Sequence, residues 1–483
     1  MTAQNPSVDV PAPVRFAEPV RVLLRTYGCQ MNVLDSQIVS GLLAARGYTM
    51  VDDEAVADAL LFNTCSVRDL SERKVLGKLG QLRHARKRRP ELVLGVLGCM
   101  AELSGQRLLD KNPHLDFVCG TNARARIPGL LEAAFVRRLA DAKRTRHNGR
   151  HLDRLGSVFS AKEPKQSARV ATGLEVPEML DERIAIRPHP WHAFVEIMRG
   201  CSNFCSYCVV PYARGPEVSR EPDDIIAELD QLASSGVIEV TLLGQNVNSF
   251  GRDRNEAGCS FASLLRRANA VQGIRWIRFV TSNPHDLSDE LVAAMADCGK
   301  VCHQIHFPMQ SGSDSVLKRM NRKYTRAQYV RKVEALRKAM PDIAFSGDFI
   351  VGFPGETADD FALTRSALEE VGYASTFLFK YSPRPGTAAA TFEDDVPLEV
   401  KKERHQELLA LQTRLTRAAH EAQIGTVQEV LVEGVSKRNE TMLQGRTSRY
   451  FNVVLPGDPA WAGSFKRARI ERATALTAYA RAV

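Results

Sequence analysis

The sequence predicts an α/β protein in three parts: an N-terminal doubly wound parallel sheet, a central partial barrel of six βα units, and a small C-terminal β-barrel. Three observations carry this expectation. The chain has 483 residues, room for about three domains at roughly 150 residues each. Short apolar runs alternate with helical patterns twice, over residues 20–137 and again from 191 to about 385, the rhythm of parallel strands joined by crossover helices. After one long charged helical pattern, Leu398–Ala422, the alternation gives way to short strands and turns. A chain that is 44% hydrophobic and 25% charged is neither mainly disordered nor collagenous nor a coiled-coil rod.

Residues 1–19 read as a loose polar tail without the basic start and apolar middle of a signal peptide. In the first part, strands are expected at Val22–Arg25, Ala59–Phe62, Leu92–Leu97 and Asp116–Val118, with helices at Leu34–Ala45, Leu70–Arg86 and Ala101–Leu109. Residues 138–190, rich in Arg, Lys, His and Pro and poor in periodicity, read as a linker. Within 191–423, strands are expected at Phe194–Met198, Ile238–Leu243, Ile277–Thr281, Val301–His306, Ile343–Val351 and Thr376–Tyr381. Six such units suit an open barrel rather than a closed one of eight. Residues 424–483 carry nine Lys/Arg against five Asp/Glu, with strands expected at Gln428–Val432, Arg449–Val454 and Lys466–Ile470, a small basic barrel.

No apolar run reaches the roughly 18 residues of a membrane helix, so a cytoplasmic chain without a membrane partner is expected. Lys plus Arg is 65 and Asp plus Glu 56, a net charge of +9 that permits a polyanionic partner without requiring one. Ten cysteines in such a chain point to metal or redox chemistry rather than to a disulfide framework.

The strongest motif is Arg199-Gly200-Cys201-Ser202-Asn203-Phe204-Cys205-Ser206-Tyr207-Cys208, three cysteines at i, i+4 and i+7 in a loop after a strand. Three thiolates can hold three irons of a [4Fe-4S] cube and leave the fourth open; zinc would ask for a fourth Cys or His, and none follows at that spacing. A second set is spread out: Cys29, Cys65 and Cys99 each follow a strand, with gaps of 36 and 34 residues, about one βα unit each. Strand ends of a parallel sheet share one edge, so these thiols can converge; three unrelated small core residues is the competing reading. Cys119 also follows a strand and is a less favoured fourth ligand, while Cys259, Cys298 and Cys302 read as structural.

The three-cysteine loop resembles the signature of the radical S-adenosylmethionine (SAM) enzymes. The whole order of motifs is similar to the methylthiotransferases of that superfamily, on the tRNA-modifying side. The residues that carry the resemblance are 27–32 (Tyr-Gly-Cys-Gln-Met-Asn), 209–215 (Val-Val-Pro-Tyr-Ala-Arg-Gly), 243–248 (Leu-Gly-Gln-Asn-Val-Asn), 310–313 (Gln-Ser-Gly-Ser), 348–356 (Asp-Phe-Ile-Val-Gly-Phe-Pro-Gly-Glu) and 381–387 (Tyr-Ser-Pro-Arg-Pro-Gly-Thr). The terminal barrel looks like a TRAM RNA-binding module, most clearly at Gly445-Arg446-Thr447. Phe307 and Met309 stand where the family usually has Leu and Val, changes that keep apolar character.

The resemblance implies two [4Fe-4S] clusters, a radical SAM cluster on Cys201, Cys205 and Cys208 and an auxiliary one on Cys29, Cys65 and Cys99. It implies SAM as both methyl donor and source of a 5′-deoxyadenosyl radical. The implied reaction places a methylthio group on C2 of N6-isopentenyladenosine at position 37 of tRNA. An unactivated aromatic C–H has no acidic proton and no leaving group, so a cofactor must carry the hard step. Implied partners are a tRNA anticodon stem-loop bearing isopentenyladenosine, an electron donor such as flavodoxin, and a sulfur donor; the enzyme is expected as a monomer. Tyr207 is expected near the SAM adenine, an ordinary core aromatic being the alternative. Gln245, Ser282, Gln310 and Asp348, near strand ends, are candidates for contact with SAM or substrate.

Arg446 is a candidate RNA contact or a surface structural arginine. The run Arg83–Arg89 reads as phosphate contacts or as a solvated helix end. The same question attaches to Arg137, Arg138, Lys143, Arg144, Arg146 and Arg150, read as an electrostatic arm. Gly352–Glu356 lacks the Lys-Ser/Thr of a P-loop and reads as a strand-to-helix turn lining the SAM pocket, and His303 and His306 as satisfied barrel-interior groups. Two other functions stay open at this point: methylthiolation of a ribosomal protein or another tRNA adenosine, and a non-catalytic iron–sulfur carrier that binds RNA.

Overall fold

A computed structural model describes residues 18–483 apart from 67–68, 145–149, 160–168, 175–183, 255 and 257. The expected tail, over residues 1–17, and Arg146 lie outside the described residues. The chain divides into two units, Met1–Ile186 with Tyr212–Gly215, and Arg187–Pro211 with Pro216–Val483. Among the described residues no helix is long and apolar enough to cross a membrane.

The first unit is built on β1 (Arg21–Tyr27), α1 (Gln30–Ala45), β2 (Thr49–Met50), β3 (Ala59–Thr64), α2 (Asp69–Arg88), β4 (Val93–Leu97), α3 (Cys99–Lys111), β5 (Phe117–Cys119), α4 (Ile127–Arg144), α5 (Arg150–Val158) and β6 (Val170–Ala171). Its six strands form one parallel sheet in the order β2-β1-β3-β4-β5-β6. Neighbouring strand residues serve opposite faces. Val22 and Leu61 join Val39, Leu43 and Leu131 on the side of α1 and α4. Leu23 and Leu60 join Val75, Leu79 and Leu108 on the side of α2 and α3. That is the doubly wound arrangement the alternation predicts.

The stretch read as a linker is corrected by this unit. It holds the end of α4, all of α5 and the edge strand β6, which pairs with β5 at Val118↔Val170 and Cys119↔Ala171. Of the residues read as an arm, Arg138 is turned inward, as are Arg154 and Arg169 further along the same stretch. Arg138 Nε donates to Asp116 at 2.5 Å, Arg154 reaches Asp58 and the carbonyl of Pro19 (2.6 Å), and Arg169 Nε donates to the carbonyl of Asp116 at 2.9 Å. Arg144 pairs with Asp141 on the surface. A basic composition hides this, because each acceptor comes from a strand end far away in sequence.

In the second unit, β7 (His192–Glu196) is followed by the short ribbon β8 (Met198–Arg199) and β9 (Val218–Ser219), with α6 (Val210–Arg214) between them. Then come α7 (Pro222–Ser234), β10 (Glu239–Leu243), α8 (Phe261–Ala270), β11 (Trp276–Phe279), α9 (Asp289–Asp297), β12 (Gln304–His306), α10 (Asp314–Arg319), α11 (Arg326–Ala339), β13 (Ala344–Val351), α12 (Ala358–Val371), β14 (Ser375–Lys380) and α13 (Leu398–Glu421). Strands β11-β10-β7 and β12-β13-β14 form two parallel sheets, joined by the parallel bridge Ile277↔Val301. Phe307, Met309, Cys298 and Cys302 lie in or beside the apolar core, and Cys259 packs against it.

The C-terminal part closes into a barrel, β15 (Val427–Ser436), β16 (Asn439–Thr447), β17 (Asn452–Leu455), β19 (Ala478–Ala482) and β18 (Phe465–Ala473), around Val430, Val432, Leu443 and Ile470. Two of its strands, β16 and β19, were not foreseen from the sequence, and β17 begins three residues later than expected. Arg278 of β11 clamps this barrel to the central one: Nε donates to Glu239 at 2.6 Å, and Nη1 and Nη2 to the carbonyls of Ser448 and Thr447 at 2.8 and 2.9 Å.

Candidate metal centres

In the first unit, β1 and β3 are neighbours although the helices that follow them leave to opposite faces. The crevice at such a reversal, outside the carboxyl ends of the strands, is where open sheets bind ligands. Cys29 caps the N-terminus of α1, Cys65 directly follows β3, and Cys99 is the first residue of α3. A helix N-terminus favours a thiolate over a thiol. The Cys29 thiol is pulled down to about 6, first by a hydrogen bond from Cys65, against the opposing effect of burial, with help from the Arg214 charge and the amides of Asn32 and Met31. Burial pushes the Cys99 thiol up, the Arg214 charge works against that, and Cys29 and Asp35 add to the rise.

Asparagines tie the start of α1 to the end of β3. Asn32 Oδ1 accepts from the amide and the thiol of Cys29, both at 3.3 Å. Asn32 Nδ2 donates to Asn63 Oδ1 at 3.0 Å, and Asn63 Nδ2 donates to the Asn32 carbonyl (2.9 Å) and to Ser36 Oγ (3.0 Å). Gly98, before Cys99, has φ +86° and lies so close to Asn63 Oδ1 that a Cβ would collide with it. A side chain there would be excluded twice, by conformation and by space.

Cys119 stands apart. Its thiol donates to the carbonyl of Ala123 at 3.2 Å, and burial pushes it up to about 12. It behaves as a core thiol, in line with its weaker claim as a ligand.

In the second unit, Cys201, Cys205 and Cys208 share one loop, with Cys208 feeling the charges of both others. The loop begins after Gly200 at φ +80° and turns at Phe204, φ +45°. A distant turn pins it. Ser206 donates through its amide to the Met320 carbonyl (3.0 Å) and through Oγ to the Arg319 carbonyl (2.8 Å), and Asn321 Nδ2 donates to the Phe204 carbonyl at 2.9 Å. Arg322 Nη1 donates to Cys205 Sγ at 3.2 Å, while Nε donates to Tyr324 at 2.9 Å. Burial pushes the Cys208 thiol up to about 12 and raises Cys201 as well.

The other sequence candidates gather around the strand ends of this unit. Tyr207 packs against the apolar cluster that holds Phe353 and Tyr381. Gln245 Oε1 accepts from the Gly200 amide, while its Nε2 is buried without a hydrogen-bond partner among the described residues. Ser282 is fully buried and its Oγ also lacks a partner among the described residues. Gln310, at φ +75°, hydrogen-bonds through its amide to the carbonyl of Asp348 at 2.9 Å. Asp348 meets His306 Nε2 at 3.3 Å, and His306 Nδ1 meets Ser346 Oγ at 3.1 Å. His303 is held by Asp342 at 2.6 Å on a half-exposed face, so it is satisfied but not interior. Gly352–Glu356 forms the turn from β13 to α12, with the Gly352 amide donating to Glu356 Oε1 at 2.8 Å.

Among the basic candidates, Arg446 pairs with Glu433 and stacks over Tyr450 at 4.6 Å. In the run 83–89, Arg86 is buried on Asp116 (3.0 Å) and Arg89 donates to the carbonyls of Ala55 (3.2 Å) and Ala57 (2.5 Å). Arg83, Lys87 and Arg88 remain exposed.

The donors fit iron–sulfur clusters. Among the described residues no three His, Cys, Asp or Glu side chains close up on a single ion. A four-iron cube holds its thiolates further apart, and both triads are soft, thiol-only sets. The charge of the buried Arg214 acts on two thiols of the first set, Cys29 and Cys99. Sequence reasoning passed over Asn32, Asn63, Arg214 and Arg322 as site residues. The first three sit inside the cysteine and Arg-Gly motifs, which was the available signal; Arg322 had none.

The Radical SAM superfamily profile matches residues 195–368, the Uncharacterized protein family UPF0004 profile residues 21–120, and the TRAM domain profile residues 421–483. The chain is 42% identical to the tRNA-2-methylthio-N(6)-dimethylallyladenosine synthase of Syntrophotalea carbinolica over 92% of this chain and 96% of that one. It is 46% identical to the protein of the same name from Geobacter sulfurreducens, over 92% and 94%. Among solved structures, a radical SAM methyltransferase from Kitasatospora setae aligns at TM-score 0.49 and 14% identity over 77% of each chain.

Proposed function

Since this chain belongs to the radical SAM methylthiotransferases, in the family of tRNA-2-methylthio-N(6)-dimethylallyladenosine synthases, we propose that it transfers a methylthio group to C2 of N6-isopentenyladenosine at position 37 of a tRNA. SAM serves as methyl donor and as radical source. The observation that carries this reading is the pair of thiol-only triads, one in each unit, neither closing on a fourth thiol among the described residues. An open iron at each is what the chemistry needs. When bound, the cluster on Cys201, Cys205 and Cys208 supplies the electron that cleaves SAM, and the one on Cys29, Cys65 and Cys99 carries the sulfur.

The protein's part is to hold and to exclude. Arg322 donates to Cys205 and fixes that sulfur's orientation. Gln245 Nε2 and Ser282 Oγ, buried without a partner among the described residues, offer donors to SAM or the base, with Gln310, Asp348 and Tyr207 as further contacts. Cys65 and Cys99 are buried, which keeps water from the first centre. The C-terminal barrel holds tRNA, with Arg446 a candidate contact despite its pairing to Glu433. An adenine in a stacked anticodon loop is splayed out to be read. We place the enzyme in the cytoplasm as a monomer, fed by a flavodoxin-like electron donor and a separate sulfur donor.

The test is anaerobic incubation with SAM, a reductant and isopentenylated tRNA. Cys205→Ala abolishes 5′-deoxyadenosine formation; Cys65→Ala leaves some SAM cleavage but no methylthio product. Identical behaviour of the two variants, with folding intact, refutes the division of labour. A deletion strain with unchanged 2-methylthio nucleosides refutes the tRNA substrate.

A further inference from the structure

We propose that Arg322 is a positioning residue for the second centre: its guanidinium, hydrogen-bonded to the Cys205 sulfur, favours the reduced state of the cluster held there. This rests on the reading of Cys201, Cys205 and Cys208 as cluster ligands.

The contact is built from the end of α10. Asn321 follows that helix at φ +56°, a conformation asparagine tolerates at a helix end. Its amide and that of Arg322 turn back to the carbonyls of Lys318 (3.0 Å) and Leu317 (2.9 Å), which closes the helix and fixes where the Arg322 side chain sets out. The same turn grips the cysteine loop through Ser206 and Asn321. The guanidinium is then held at each of its nitrogens. Nε donates to the Tyr324 hydroxyl at 2.9 Å, and that hydroxyl donates to the Met309 carbonyl at 2.9 Å. Nη2 donates to Asn283 Oδ1 (3.2 Å) and the Pro308 carbonyl (3.3 Å), and Nη1 to Cys205 Sγ (3.2 Å). The Tyr324, Asn283 and Pro308 acceptors are neutral. Of these contacts among the described residues, the Cys205 sulfur is the one that turns anionic on binding iron. Arg322 and Cys205 are both half-buried, so their interaction is screened less than one in open water. A [4Fe-4S] cluster gains one negative charge when a reductant gives it an electron. A cation donating to a ligand sulfur therefore favours the reduced form, and hydrogen bonds to sulfur are among the levers that set cluster potentials. The rival view is a bolt that merely fastens the turn after α10 to the cysteine loop.

The experiment uses the full chain with Cys29, Cys65 and Cys99 all replaced by Ala, so that the second centre alone holds iron, reconstituted anaerobically and titrated potentiometrically with dithionite, read by EPR. Arg322→Gln is expected to lower the reduction equilibrium at least tenfold, a midpoint shift of about 59 mV to more negative values for a one-electron couple. Arg322→Lys, which keeps the charge but not the fork, stays within about threefold of the parent. An unmoved midpoint in R322Q overturns the proposal. Equal shifts in R322Q and R322K overturn it too, in favour of the bolt. If R322Q holds no iron, the parent labelled with 15N-arginine decides by pulsed EPR of the reduced cluster. A nitrogen coupling that is lost in R322K supports the contact; no coupling, or one that persists in R322K, overturns it. A triple-Ala parent without any cluster instead refutes the reading of Cys201, Cys205 and Cys208 as ligands, before Arg322 is tested.

Discussion

Asn63→Ala strikes the joint between the end of β3 and α1 at the first centre. Asn63 is 1% exposed. It makes three hydrogen bonds, two to Asn32 and one to Ser36, at 2.9–3.0 Å. At about 1 kcal/mol net for each bond, the loss is about 3 kcal/mol. Asn32 Nδ2, also buried, is left without its acceptor, which makes this a lower figure. Since a tenfold change in an equilibrium is worth about 1.4 kcal/mol, opening of α1 from the sheet becomes more frequent by about two orders of magnitude. Hydrogen exchange on the anaerobically purified protein reads this directly. Amides of α1 (Gln30–Ala45) and β3 (Ala59–Thr64) exchange about a hundredfold faster, while those of the C-terminal barrel are unchanged. Iron bound by the first centre falls in parallel, and iron at Cys201, Cys205 and Cys208 does not. Acceleration below about tenfold in α1, with full iron at the first centre, refutes the view that this asparagine network shapes the site.

Cys119→Ala leaves the iron and sulfide content of the chain unchanged, because that thiol is engaged by the Ala123 carbonyl; loss of one cluster on chemical analysis counts against this. His192 is pulled down to about 4, first by burial, so the fold excludes its proton. Its contribution to stability is therefore complete above the unfolded value near 6.5 and is lost as pH falls towards 4, at up to about 1.4 kcal/mol per pH unit. His192→Gln flattens this limb in denaturation midpoints measured across that range. Gly352, at φ +67° and against the Lys401 stem, does not accept a side chain freely. Gly352→Ala costs about 1–2 kcal/mol, seen as a lower melting temperature, and weakens SAM binding in equilibrium dialysis.

Local chemistry was legible along the chain. The cysteine loop at 201–208 declares itself because its three cysteines lie close together along the chain. The βα alternation declares both sheets because periodicity is a property of neighbouring residues. That Cys29, Cys65 and Cys99 lie along one sheet edge follows from topology, since each comes just after a strand of one parallel sheet. What periodicity could not reveal was the direction of long polar side chains. Arg86 and Arg138 look in sequence like parts of a basic surface, and they fold onto Asp116 instead. Arg322 reaches Cys205 across 117 positions, and Arg214 meets Asp35 across 179. Composition and spacing name the groups able to do the chemistry. Which charge stands beside which sulfur depends on strand order and on loops brought together by folding, because an electrostatic contact is set by distance in space and leaves no periodic trace in the chain.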